Sequence, residues 1–169
     1  FNPIAFMLAT PLHSRSVENW QDFIAEEKFD GMRCQLHAHG PKVELFSRDL
    51  NAISNQFPEL VEIFRIKGFL PTVLDGEICI FRNQTIQPFQ ELQTRMGVKK
   101  PSKELMSKYP VLFIGYDLLY LDQKETVSKS LIQRRISLEK LAKKYEFPIS
   151  KQYSIGSKDQ VDQLFEQAL

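Results

Sequence analysis

Lys28 sits between carboxylates and just ahead of a glycine, in the run Ala25-Glu26-Glu27-Lys28-Phe29-Asp30-Gly31-Met32-Arg33. A lysine can act as a nucleophile only as the free amine, and with an ordinary pKa of about 10.4 the ammonium dominates near neutrality. Glu26 and Asp30 are placed to orient that amine and accept its proton, with Arg33 as a nearby cation. The structural alternative is a solvated Lys–Glu pair at a strand end. As a strand, residues 25–29 would set Glu26 and Lys28 on one face and Ala25, Glu27 and Phe29 on the other. Gly31 would then permit a sharp turn or a close approach to a ligand.

Further along, Asp75-Gly76-Glu77 interrupts an apolar strand over 73–81. Two carboxylates there are costly to bury without a ligand, a cation or a lysine as partner; an exposed bulge is the alternative. Tyr116 breaks the aliphatic run 109–121, long enough for a central, buried strand. Its ring could stack on a flat purine, or it could be a core tyrosine with a bonded hydroxyl. His37 and His39 share one strand face ahead of Gly40-Pro41, which reads as an exposed hairpin end rather than a metal site. Cys34 and Cys79 read as small buried strand residues without a disulfide, and no Cys/His metal spacing occurs. Lys99, Lys100, Lys103 and Lys108 form a basic stretch, either a solvated face or a weak contact for DNA phosphates.

The elements that must position these residues follow from local signals. Residues 20–25 lead into Lys28 with Trp20, Phe23, Ile24 and Ala25. Strands over 33–37 and 42–47 are joined by a turn at 39–42, with Cys34, Leu36 and Ala38 on one face, and the hairpin carries Ser47-Arg48 back toward Lys28. Phe57-Pro58-Glu59-Leu60 opens a helix with Pro58 in its first turn and Leu60, Val61, Ile63 and Phe64 as its apolar side. A second helix runs over 88–96 with Phe89, Leu92 and Met96 at helical spacing. An amphipathic helix over 130–145 turns Leu131, Ile132, Ile136, Leu138, Leu141 and Ala142 mostly inward. A strand around 150–155 and a helix capped by Ser157 with Gln160 as box partner come last. Residues 1–12 are apolar and irregular, a lid on the core by default, and 14–19 could begin a short turn or helix.

With 169 residues, 43% of them hydrophobic, and 13 phenylalanines, the chain can bury one sizeable core. Its 22 basic and 21 acidic residues nearly cancel, so net charge gives no argument for nucleic acid. No signal peptide or apolar run of membrane length occurs, which makes an intracellular protein the default.

The Lys28 segment resembles motif I of the covalent nucleotidyltransferases, which include ATP- and NAD-dependent DNA ligases, RNA ligases and mRNA capping enzymes. Leu45-Phe46-Ser47-Arg48-Asp49-Leu50 with Gln56-Phe57-Pro58-Glu59-Leu60 resembles motif Ia. Val73-Leu74-Asp75-Gly76-Glu77-Ile78 resembles motif III, and residues 113–122 motif IIIa; Arg134-Arg135 with Leu138 resembles the segment after it. Four ordered matches are most similar to bacterial ATP-dependent DNA ligases. The family's Glu-Gly-x-x-x-Lys and Lys-x-Lys motifs and its oligonucleotide-binding-fold domain are not in this sequence. Residues 1–169 therefore read as an adenylation domain, C-terminally incomplete.

That resemblance implies an α+β fold of largely antiparallel sheets flanked by helices, ATP-grasp-like and of the DNA ligase type, with the nucleotide in a cleft beside residues 1–12. It implies that Lys28 attacks the α-phosphate of ATP with Mg2+ present, forming a lysyl-AMP that passes to the 5′-phosphate of nicked double-stranded DNA in repair or replication. It implies that Asp30 orients Lys28 or a metal-bound water, Glu26 reads the adenine, and Arg33 contacts the ribose or α-phosphate. Arg48 would meet a phosphate, Glu77 the ribose or metal, and Tyr116 the base face. A monomer in the bacterial cytosol or nucleoid, off the membrane, is expected. An RNA ligase, a capping-type enzyme and a non-catalytic DNA-binding relic of the fold are the alternatives.

Overall fold

A computed structural model describes residues 2–8, 10–11 and 17–168. Ser14 and Ser16, where a short turn or helix was expected to start, lie outside the described residues. The chain divides into two compact units, one of residues 1–5 and 29–149, the other of residues 6–28 and 150–169.

The larger unit is built on a sheet of six strands: β2 (Met32–Gly40), β3 (Lys42–Ser47), β4 (Phe69–Arg82), β5 (Thr85–Ile86), β6 (Val111–Leu121) and β7 (Lys124–Glu125). Their order is β3-β2-β4-β6-β7, with β5 paired to β4, and every pairing is antiparallel. The β2–β3 hairpin forms as its sequence requires, turning at Gly40 with φ 56°. β4 is one continuous strand across Asp75-Gly76-Glu77, not an interrupted one. It passes there because Gly76 has no side chain: a Cβ would overlap the Phe113 ring and the Ile114 carbonyl. β4 rather than β6 holds the middle of the sheet, and register shifts in the β4–β6 ladder fall between Val73 and Leu74 and between Asp75 and Gly76.

Strand alternation gives the sheet two unlike faces. Cys34, Leu36, Ala38, Leu74, Ile78 and Ile80 point into one core with helices α1 (Pro58–Lys67) and α4 (Leu131–Tyr145). α1 starts at Pro58, as expected, and buries Leu60 and Phe64, while Ile63 is left exposed. α4 carries a full capping box between Ser130 and Gln133. Its inward face differs from the expected one: Leu131, Ile132 and Ile136 are exposed, and Arg134 and Arg135 are buried. Arg134 turns in because it grips Asp117 of β6 with two hydrogen bonds, Nε to Oδ1 at 2.8 Å and Nη2 to Oδ2 at 2.9 Å.

The remaining helices are short. α2 (Phe89–Gln93) stops early, so Met96 is exposed and Arg95 is buried instead. Arg95 donates to the carbonyls of Tyr109 (2.9 Å) and Gln56 (3.0 Å). It also lies 2.7 Å from Glu59 Oε1, a charge contact rather than a directional hydrogen bond. α3 (Lys103–Lys108) carries Lys103 and Lys108 of the basic stretch, and Lys99 and Lys100 lie in the bend before it, all exposed.

The smaller unit holds a 3-10 turn over Trp20–Asp22 capped by Asn19, then β1 (Ile24–Glu26), β8 (Gln152–Ser154) and α5 (Lys158–Ala168). β1 ends at Glu26, so Lys28 does not share a strand face with Glu26 as the alternation implied; it lies two positions further on, in irregular backbone. At α5, Ser157 Oγ accepts from Gln160 N at 3.3 Å, and Gln160 Oε1 accepts from Gly156 N at 2.7 Å. Among the described residues no helix is long and apolar enough to cross a membrane.

Candidate functional site

The face of the large sheet opposite the core is polar, which makes it unusual. Arg33, Gln35 and His37 on β2 alternate with the core residues, as do Asp75 and Glu77 on β4, and the register sets Arg33 beside Glu77 and Gln35 beside Asp75. Gln35, His37 and Asp75 are buried. Such a row is stable only if each member is partnered.

Asp75 and Arg33 partner each other. Arg33 Nε donates to Oδ1 at 3.2 Å and Nη2 to Oδ2 at 2.7 Å, the two-point geometry of a strong charge-assisted pair. Burial raises the Asp75 carboxyl above its usual range, against the lowering effect of Arg33. Burial also opposes the Arg33 charge, yet the Asp75 hydrogen bond and charge lift its pKa above normal. The two directions favour opposite forms of the pair. The permanent guanidinium charge and the bidentate distances decide for the ionised pair.

Tyr116 joins them. Its hydroxyl hydrogen-bonds Asp75, burial drives its pKa upward, and the Arg33 guanidinium carbon lies 5.9 Å from its ring centroid. The bonded hydroxyl expected of a core tyrosine is therefore present on a ring that remains half-buried. Arg33, Glu77 and Tyr116 are thus gathered around Asp75, which motif reading treated as a carboxylate needing a partner and not as a site residue.

Gly31, at the start of β2, makes neither a left-handed turn nor an opening toward a ligand. A Cβ there would overlap Ile78 O and stand 2.7 Å from Cys79 Sγ, so the glycine lets β2 pass close to β4. Asp30, just before it, is exposed, and its Oδ2 accepts a long hydrogen bond of 3.4 Å from Phe89 N at the start of α2. Arg48 is exposed in the turn after β3; the register Cys34↔Ser47 brings that turn alongside the Arg33 end of β2.

His37 corrects the expectation of an exposed hairpin end. It is buried, whereas His39 is exposed. Gln35 exchanges two hydrogen bonds with the backbone of Ile4, accepting at Oε1 (2.7 Å) and donating from Nε2 (2.8 Å). The Ile4 N–H therefore fixes Oε1 as an acceptor, and His37 Nε2, 2.8 Å away, must donate to it. Burial lowers the His37 pKa to about 4.

In the smaller unit, Glu26 is held by side chains from the far end of the chain. Ser150 Oγ donates to Glu26 Oε1 at 2.8 Å and Gln152 Nε2 at 3.1 Å, and Gln152 is also the register partner of Glu26. Sequence reasoning missed Ser150 and Gln152, which carry no local signal. Lys28 is exposed. Among the described residues no cluster of three or more His, Cys, Asp or Glu forms a metal cage. Cys34 and Cys79 are buried and are not joined in a disulfide.

The family described as the ATP dependent DNA ligase domain matches residues 6–169. A probable DNA ligase of Koribacter versatilis (strain Ellin345) is 36% identical over 141 residues, 82% of this chain and 24% of that protein. The ligase domain of M. tuberculosis LigD has the same fold, with TM-score 0.67 at 24% identity over 85% of this chain and 43% of that one. So does a mycobacterial DNA ligase D complexed with ATP and MES, with TM-score 0.65 at 24% identity over 86% and 44%. The chain spans about a quarter of the length of that curated relative. Because the family match runs through both units, from β1 to α5, this chain belongs to the family of ATP-dependent DNA ligase domains.

Proposed function

We propose that this chain is the adenylation domain of an ATP-dependent DNA ligase and that Lys28 is its nucleophile. The family match over residues 6–169 carries the reading. The deprotonated Lys28 Nζ attacks the α-phosphorus of ATP. An N–P bond forms, the bond from that phosphorus to the oxygen bridging to the β-phosphate breaks, and pyrophosphate leaves with the electron pair. AMP then passes from the lysyl-AMP to the 5′-phosphate at a nick in duplex DNA, where the 3′-hydroxyl displaces it.

The other residues position this exchange. Glu26, fixed by Ser150 and Gln152, reads the adenine amino group, and Tyr116 offers its ring to the base. Arg33, its guanidinium plane set by Asp75, meets the ribose or α-phosphate. Arg48 binds a phosphate, and Asp30 orients the Lys28 amine. Magnesium suits this donor set: it binds through one or two carboxylates with substrate phosphates and water, so half-buried Glu77 could hold it or the ribose without a full cage. Bound there, it would offset phosphate charge. We place the protein in the cytoplasm as a monomer, serving DNA repair or replication.

Intact mass before and after ATP with magnesium, with NAD and GTP in parallel, tests the reading. One AMP added from ATP alone, and lost in Lys28→Ala, is the expected result. No adduct in the full-length protein overturns it.

A further inference from the structure

The turn that carries Arg48 contains a residue the mechanism does not use. Leu50 has φ 60°, in the left-handed region where L side chains are disfavoured. Five other described non-glycine residues share positive φ: Asn83, Gln84, Asp122, Gln123 and Glu146. All five are polar. The first four form the two-residue turns of the β4–β5 and β6–β7 hairpins, where strand twist requires this conformation, and Glu146 ends α4. Leu50 is the one apolar member: it takes the left-handed last position of the three-residue loop between Ser47 and Asn51, a place suited to glycine, and the residue is 37% exposed. Neither a polar side chain nor full burial compensates for its backbone.

The turn is nevertheless firmly held. Leu50 N donates to Ser47 O at 2.8 Å, Ser47 N to Asn51 O at 2.9 Å, and Asn51 N to Ser47 Oγ at 3.3 Å, and Phe46 bridges Ala52 beneath them. The result is a cationic and an apolar residue on a held backbone, two residues apart and both exposed. A nucleic-acid strand presents the matching pair at each step, a charged phosphate and an apolar sugar edge.

We propose that Leu50 is a substrate-contact residue, packing against the deoxyribose next to the phosphate that Arg48 holds in nicked duplex DNA. This rests on the ligase reading above and deepens it, because it assigns part of the duplex affinity to an uncharged contact. An exposed apolar side chain on a strained backbone points to a partner that covers it.

Salt dependence separates the two contributions. Binding of a nicked duplex by the full-length protein would be measured between roughly 50 and 200 mM salt, the range over which phosphate contacts dominate. Leu50→Gly should weaken binding about tenfold at every salt concentration. The slope of log affinity against log salt should not change, nor should the unfolding midpoint fall. Arg48→Ala should instead reduce that slope by about one. Leu50→Gly binding within about twofold of the parent, or a lowered unfolding midpoint, overturns the proposal. A parent that forms the AMP adduct and binds DNA, beside an indistinguishable Leu50→Gly, refutes this contact alone; a parent that forms no adduct and binds no nicked duplex removes both readings.

Discussion

Arg33 and Asp75 meet diagonally. The strand register sets Arg33 opposite Glu77 and Asp75 opposite Gln35, yet the bidentate pair forms between Arg33 and Asp75. The diagonal lets one buried carboxylate fix both the guanidinium plane and the Tyr116 hydroxyl. Asp75→Asn keeps the shape but removes the charge, and should destabilise the protein by about 1–3 kcal/mol in urea melts, less than for a fully dry pair because Arg33 is partly exposed. Arg33→Lys should not restore function, since an ammonium cannot make the two-point contact.

Gly76 and Gly31 are occupied by their neighbours. Gly76→Ala drives a methyl into the Phe113 ring and the Ile114 carbonyl, and Gly31→Ala drives one into the Ile78 carbonyl. Each should lower the denaturant midpoint by an amount corresponding to about 1–3 kcal/mol. Equal stability of either variant with the parent would contradict the close strand approach.

His37 makes stability depend on pH. Its folded pKa of about 4 lies below the ordinary 6.5, so the unfolded chain binds more protons between those values. Stability should therefore be full above about pH 6.5 and fall as pH drops toward 4, by on the order of 2–3 kcal/mol. His37→Gln, which keeps a donor for Gln35 Oε1, should flatten that part of the pH–melting curve.

On the proposed reading, Ser150 would act on the nucleotide through Glu26. Ser150→Ala removes the hydrogen bond from its hydroxyl to Glu26 Oε1. The AMP-transfer reaction should show KM for ATP raised by about three- to tenfold with kcat less affected, because orientation of the base-reading carboxylate is lost. A fall in kcat alone would place Glu26 in the chemical step.

Local chemistry explains which features were legible in the sequence. Pro58 at the first turn of α1, the Ser157 cap of α5 and the β2–β3 hairpin each declare themselves within a few residues, and each forms. The motif residues Arg33, Glu77 and Tyr116 do come together. Periodicity failed where a buried charge overrode it: Arg134 rotates inward on α4 to reach Asp117, and Leu131, Ile132 and Ile136 are left outside. It failed again at Arg95, whose polar partners come from other elements, and at His37, whose partner Gln35 on the same strand is itself held by the backbone of Ile4. Ser150 lies 124 residues from Glu26, a separation over which no local pattern carries information.

The strand that leads to Lys28 has a consequence for synthesis on the ribosome. Among the described residues β1 finds its partner strand in β8, with Glu26 and Gln152 separated by 126 residues. At about 5–20 residues per second, the nascent lysine segment waits on the order of ten seconds before its partner strand exists. The larger sheet can be complete by then, so the strand pair that leads to Lys28 assembles after it.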